Sequence, residues 1–201
     1  KGWSTELSVD VTSLGVQVHG GMGFIEETGA AQYYRDARIL PIYEGTTAIQ
    51  ANDLVGRKTV RDGGAVAKAL LAQIAQTVEA LKQHKGAAFQ SMQKHLSLGH
   101  DALQSTVAFV VANTKSDPNA VFAGSVSYLK LAGIVLGGWQ MARAMLAAQQ
   151  KHAQDPSFYG AKIATAQFFA EHLLPQAVAL EASIISAKGG EGILALSEDQ
   201  F

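Results

Sequence analysis

Between Thr5 and His19 the apolar residues Leu7, Val9, Val11, Leu14, Val16 and Val18 mix helical with alternating spacing, and the segment reads as helix. Gly20, Gly21 and Gly23 break regular structure, because glycine favours positive φ and removes bulk where something approaches closely; a loop is expected to about Glu27. From Ala30 to Leu40, Tyr33, Tyr34, Ala37 and Leu40 return to a helical period, which ends where Pro41 pushes Leu40 towards extended backbone. Residues Ile42 to Gly45 form a second short loop, and Thr46 or Thr47 is placed to cap a helix running to about Val60.

Beyond Gly64 the recurrence of Val66, Leu70, Ile74, Val78 and Leu81 predicts an amphipathic helix with these residues on its buried face. Similar patterns predict helices over Phe89 to Thr114 and from Pro118, a favourable first-turn residue, to about His152. Asp155 is a candidate cap for a last long helix, Phe158 to Lys188, which Pro175 should kink or divide and which Gly189-Gly190-Glu191-Gly192 ends. Trp139 and the pair Phe168-Phe169 are expected in the core. No segment alternates convincingly and no internal repeat occurs, so the fold class is all-α, a helical bundle.

Composition narrows the function classes. With 201 residues, 48% of them hydrophobic, the chain can bury a sizeable core. A formal charge of -1 with interspersed signs offers no footprint for nucleic acid or an anionic membrane. Cysteine is absent, which removes disulfides and thiolate metal sites and fits an intracellular, cytoplasmic location. The apolar stretch Leu131 to Trp139 is too short to span a bilayer and reads as a core helix. The start at Lys1-Gly2-Trp3-Ser4, with no initiator Met, suggests a piece of something longer.

Taken singly, the candidate motifs are weak. Gly20-Gly21-Met22-Gly23 fits neither a Walker loop nor a Rossmann fingerprint, and could merely turn the chain; Glu44 next to Gly45 could be a solvated turn residue. His95 and His100 lack the one-turn spacing of a helical metal pair, and no metal is expected. The combination is far more specific. Gln17 to Phe24, then Glu27, then Arg35-Asp36-Ala37-Arg38, then Ile42-Tyr43-Glu44-Gly45-Thr46, ending at Ile49-Gln50, closely resembles the acyl-CoA dehydrogenase family in order, spacing and residue type. It departs at Gln32, where the family generally has Lys or Arg, and at Ala48, where many members are polar.

The resemblance implies α,β-dehydrogenation of an acyl-CoA with FAD, and an electron-transfer flavoprotein or similar acceptor. It places the catalytic base on Glu44, with Tyr43 walling the acyl pocket and Gly45 admitting substrate. A carboxylate can take so weakly acidic a proton only if it loses solvent and the developing enolate is stabilised. The same resemblance puts Gln17, Val18, His19, Gly20 and Gly21 against the flavin of a neighbouring subunit, in a homodimer or dimer of dimers, and Thr46, Thr47 and Ala48 near the cofactor of their own subunit. Arg35, Asp36 and Arg38 read as structural. Residues 1–62 correspond to the C-terminal part of the family's helical domain, and residues 63–201 look like the helical extension of a longer bacterial branch, with a packing or assembly role. The competing readings are a non-catalytic relative that binds nucleic acid, and a scaffold acting only in assembly.

Overall fold

The computed structural model describes residues 1–186 and 192–200, and among them every regular element is helical. Helix α1 spans Gly2–His19 and is followed by a single turn, α2, Gly21–Phe24, and a 3-10 turn at Glu26–Thr28. The glycine segment is therefore not the open loop its composition predicts. Only Gly20, at φ 61°, needs glycine's conformational freedom. Gly23 is needed for space: a Cβ there would lie 2.2 Å from the Val16 carbonyl oxygen, so α2 folds directly onto the end of α1.

Helix α3, Ala30–Arg38, packs back along α1, burying Ala30 and Ala37. Thr46 then caps α4, Thr47–Asp53, its hydroxyl accepting from the Ile49 N–H. The helix runs on to Val60 as predicted, but its second half, Leu54–Val60, is wound as a π-helix. A π segment turns more slowly than an α-helix, and Val55 and Thr59 both face inward from it.

The remainder is a bundle of α5, Ala65–Leu81; α6, Ala87–Asn113; α7, Pro118–Ala123; α8, Ser125–Lys151; α9, Pro156–His172; and α10, Gln176–Ile185. Asp155 caps α9 through a 2.9 Å bond from the Phe158 N–H, and the chain divides α9 from α10 around Pro175, both as the sequence indicates. The expected terminator Gly189-Gly190-Glu191, with Lys188 before it, lies outside the described residues. One predicted helix is two. Gly124, at ψ 0°, separates α7 from α8 and sits against Ile184 of α10, where a Cβ would come within 3.1 Å of the Ile184 Cγ2.

Helix α8 is the centre of the bundle, in contact with α4, α5, α6, α9 and α10. It extends well beyond Leu131 to Trp139 and is, by length and composition alone, apolar enough to cross a membrane. Its inward residues Leu131, Ile134, Val135, Ala142 and Met145 are buried against Met92, Leu96, Leu174 and Ile184, as in the core helix of a bundle. Burying the leucine, isoleucine, valine and methionine side chains among these stabilises the fold by about 1.5–3 kcal/mol each. Two glycines let neighbours seat on the α8 backbone: a Cβ at Gly133 would fall 2.2 Å from the Trp3 ring, and one at Gly138 would fall 2.5 Å from Leu174.

Trp139 is in the core as expected, its indole N–H donating to the Thr77 hydroxyl at 2.8 Å. Two expected core residues are not. Val66 lies in the first turn of α5, before its buried stripe of Leu71, Ile74, Val78 and Leu81 begins, and Phe168 points outward from α9 against His172 while Phe169 packs inward.

Candidate functional site

The loop that joins α3 to α4 carries the candidate base. Chain reversal is made by turns over residues 39–43, with Tyr43 N–H returning to the Ile39 carbonyl. The next two residues are both left-handed, Glu44 at φ 53° and Gly45 at φ 90°, and Glu44 is the only non-glycine residue with positive φ among the described residues. Such a conformation costs a side-chain-bearing residue on the order of 1 kcal/mol or more, and persists only where its surroundings impose it.

Those surroundings are specific. The Lys1 ammonium donates to the Tyr43 carbonyl at 2.8 Å and to the Gly45 carbonyl at 2.6 Å, and lies 5.7 Å from the centre of the Tyr43 ring. The Gln50 side-chain amide donates to the Glu44 carbonyl at 3.1 Å. Three successive carbonyls are thus held by side chains from the start of α1 and from α4. Gly45 makes the Gln50 approach possible, since a Cβ there would stand 2.8 Å from its Nε2. The Glu44 backbone N–H, by contrast, has no acceptor among the described residues. The Glu44 carboxylate is exposed, so any desolvation of it must come from groups outside this chain.

Thr46, Thr47 and Ala48 follow at once, and they are not equivalent. The Thr46 hydroxyl caps α4 while its residue stays exposed; the Thr47 hydroxyl is committed to the Glu6 carboxylate on α1; and Ala48 presents only a methyl group on the surface. Thr47 also borders a cleft of about 390 Å³ between α1 and α8, lined by Trp3, Glu6, Leu129 and Lys130, whereas Glu44 stands outside it.

Gln17, Val18, His19, Gly20 and Gly21 form a second cluster. They sit at the far end of α1 from Lys1, a separation of about 27 Å for an 18-residue helix. All five are exposed, and Val18 is 84% exposed. His19 Nδ1 is tied to the Gly15 carbonyl at 2.9 Å, which fixes the ring to its own helix. No heavy atom lies within 4 Å of a Cβ built on Gly20 or Gly21, and Gly21 has no positive φ, so nothing within the chain requires glycine at position 21. An open backbone with no internal reason for being glycine fits the close approach of a group from outside, such as a pyrophosphate.

Arg35 and Glu26 make a bidentate pair at 2.9 and 3.0 Å. The guanidinium holds the Glu26 carboxyl below its usual range, first through the hydrogen bonds and then through charge. The pair ties α3 to the turn before it, and is exposed. Among the described residues no three His, Asp or Glu side chains converge as a metal site. Sequence reasoning overlooked Lys1 and Gln50. In the sequence Gln50 is only the end of a motif, and nothing local to Lys1 marks a partner 42 residues away.

Residues 1–59 match the family model "Acyl-CoA dehydrogenase, C-terminal domain", and residues 70–195 match "Acetyl-CoA dehydrogenase C-terminal like". The chain is 49% identical over 199 residues to the 3-methylmercaptopropionyl-CoA dehydrogenase of Ruegeria pomeroyi, covering 98% of this chain and 33% of that protein. It is 33% identical over 189 residues to the broad-specificity linear acyl-CoA dehydrogenase FadE5 of Mycobacterium tuberculosis, covering 87% of this chain and 30% of that protein. A butyryl-CoA dehydrogenase of Syntrophomonas wolfei is 32% identical over 87% of this chain and 29% of its own length. The chain therefore spans about a third of the length of these relatives. With family models matched along both parts of the sequence and an all-helical bundle in the structure, the chain belongs to the acyl-CoA dehydrogenase family, whose C-terminal region it carries.

Proposed function

We propose that this chain is the C-terminal part of a flavin-dependent acyl-CoA dehydrogenase, in which Glu44 removes the α-proton of an acyl-CoA thioester. The observation that carries the reading is the Glu44 loop: a strained, left-handed carboxylate residue with its carbonyl tied down and its own N–H free to donate. The thioester oxygen would accept from that N–H, so the group that stabilises the enolate and the group that takes the proton belong to one residue. The Cα–H bond breaks towards the Glu44 carboxylate, the Cβ–H bond is lost as hydride, and the double bond forms between the two carbons. FAD, when bound, supplies the acceptor for that hydride, and an electron-transfer flavoprotein or similar acceptor takes the electrons onward.

Tyr43 and Gly45 flank the substrate's approach. Thr46 and Ala48 supply the exposed side of α4 to the cofactor of the same subunit, while Thr47 holds the loop to Glu6. The separation of Gln17 to Gly21 from Glu44 by the length of α1 supports the assignment of that cluster to the flavin of a second subunit, and hence a homodimer or dimer of dimers, which we place in the cytoplasm. Residues 63–201 are the helical extension, which shares its core with Val55 of the preceding helix and has a packing or assembly role.

Glu44→Gln in a full-length enzyme carrying this chain tests the reading. Gln keeps the shape but cannot accept a proton. Flavin content and substrate binding are expected to persist while bleaching of the flavin by butyryl-CoA or 3-methylmercaptopropionyl-CoA nearly stops; turnover within a few-fold of wild type would move the base elsewhere.

A further inference from the structure

Nothing in the chemistry of Glu44 explains why a backbone carrying a side chain should rest at φ 53° on an exposed loop. Left to itself, the Tyr43–Gly45 segment would relax by rotating its peptide planes towards right-handed or extended conformations, carrying the carboxylate and the N–H away from any shared target. The structure contains a specific device against this. One ammonium takes the carbonyls on either side of Glu44, and one amide takes the carbonyl of Glu44 itself.

Resting on the assignment of Glu44 as base, we propose that Lys1, assisted by Gln50, is a positioning residue for proton abstraction. Its charge-assisted bonds fix the Tyr43–Glu44 and Gly45–Thr46 peptide planes while Gln50 fixes the Glu44–Gly45 plane between them, so that the left-handed conformation is the resting state of the loop. Each of these bonds is stronger than one between neutral groups, and one cation spanning two carbonyls resists rotation of both planes together. Gln50 completes the clamp from the first turns of α4, whose start is fixed independently by the Thr46 cap and by the Thr47–Glu6 contact. Because α1 supplies Lys1 at one end and Gln17 to Gly21 at the other, the helix that reaches the neighbouring cofactor also sets the base loop.

The test is made in the full-length enzyme with Lys1→Met, Lys1→Arg and Gln50→Ala, with Glu44→Gln beside them. Lys1→Met is expected to keep its flavin and melting temperature while the anaerobic rate of flavin reduction by butyryl-CoA falls by about 10- to 100-fold, the size of loss that misplacing a reacting group by an ångström can produce. The isotope effect with α-deuterated substrate should rise as proton abstraction becomes limiting, KM should change less than kcat, and Lys1→Arg, which can still reach two carbonyls, should recover most of the rate. Wild-type rate in Lys1→Met, a loss of rate that merely tracks loss of flavin, or equal loss in Lys1→Arg would overturn the proposal. If Lys1→Met yields no flavoprotein, the same rate and isotope readings are taken on Gln50→Ala, with the same outcomes deciding. Substantial turnover in Glu44→Gln would instead overturn the assignment of the base, so the two failures are distinguishable.

Discussion

The Thr59 hydroxyl and the Tyr128 phenol meet at 2.9 Å inside the bundle, one from the π-helical continuation of α4 and the other from α8. Both residues are buried, so each hydroxyl depends on the other for its partner. The bond joins the helix that begins at the candidate active-site loop to the central helix of the bundle, and it follows from the π winding that turns Thr59 inward alongside Val55.

Tyr128→Phe should therefore destabilise the fold by about 1–3 kcal/mol, because the Thr59 hydroxyl is left buried and unpaired. Thr59→Val in the same background should recover part of the loss by removing the orphan, and thermal melts of the three variants check this. A pH dependence follows. Burial pushes the Tyr128 phenol above its ordinary value, with Thr59 pulling it back to a lesser degree. The folded state thus holds the proton more tightly than the unfolded one. Its contribution is complete below about pH 10 and is lost as pH rises through the raised folded value. Wild type should lose stability above pH 10 more steeply than Tyr128→Phe; identical slopes would refute the buried assignment.

Two glycines of one short motif should respond oppositely to alanine. Gly23→Ala drives a Cβ to 2.2 Å from the Val16 carbonyl oxygen, a backbone atom that cannot step aside, and should cost about 1–3 kcal/mol. Gly21→Ala meets open space at negative φ and should leave the melting temperature unchanged or slightly raised. Gly21→Val should also fold, yet lower the flavin content of the full-length enzyme by crowding the outer face of the backbone. Normal flavin content in that variant would return the segment to a simple turn.

What could be read from the sequence divides by range. Asp155, Thr46 and Pro175 act within a few residues of themselves, and the structure places a cap, a cap and a helix boundary where the sequence indicates. The order Gln17 to Gln50 disclosed the family because many residue types are constrained together. Range is what hid the rest. Periodicity shows that an apolar face exists but not which neighbour covers it, so Val66 and Phe168 read as core residues although the core does not reach them. Gly124 interrupts a pattern that is helical on both sides, and only Ile184 of α10 explains the break. Gly20 and Gly23 look alike in the motif, although one is needed for φ and the other for space. The Lys1 clamp joins residues more than 40 apart with no local signature at either end.

Glu44 offers a direct measure of how far the loop is held under strain. Glu44→Gly and Glu44→Ala both remove the carboxylate and should both abolish flavin reduction, but they differ in backbone. Alanine must still adopt φ 53°, whereas glycine reaches it without steric cost. Glycine gives back part of the advantage through its freer unfolded chain, so Glu44→Gly should be the more stable by about 1 kcal/mol or less. Denaturant titration of the pair checks the sign, and an equal or more stable Glu44→Ala would mean that the loop is not left-handed in solution.

Made by itself, the 201-residue chain should be folded and helical yet colourless and inactive. Its core does not depend on other segments: Ile74, Leu81, Met92, Leu96, Leu131, Met145, Leu174 and Ile184 are fully buried by one another's helices. Circular dichroism should show a strong helical signal and a cooperative melt. The candidate cofactor surface is different in kind. Gln17 to Gly21 and Glu44 stand exposed at opposite ends of α1, and the cleft between α1 and α8 reaches neither of them. A few open backbone positions cannot offset the entropy of immobilising a dinucleotide. Around them Val18, Phe24 and Tyr33 are exposed by 84%, 82% and 73%, a set of apolar side chains that should drive self-association of the chain made alone. Flavin titration followed by fluorescence quenching decides the matter: no saturation in the micromolar range is expected, and saturable binding there would show that α1 and its glycine turn already form a nearly complete cofactor site.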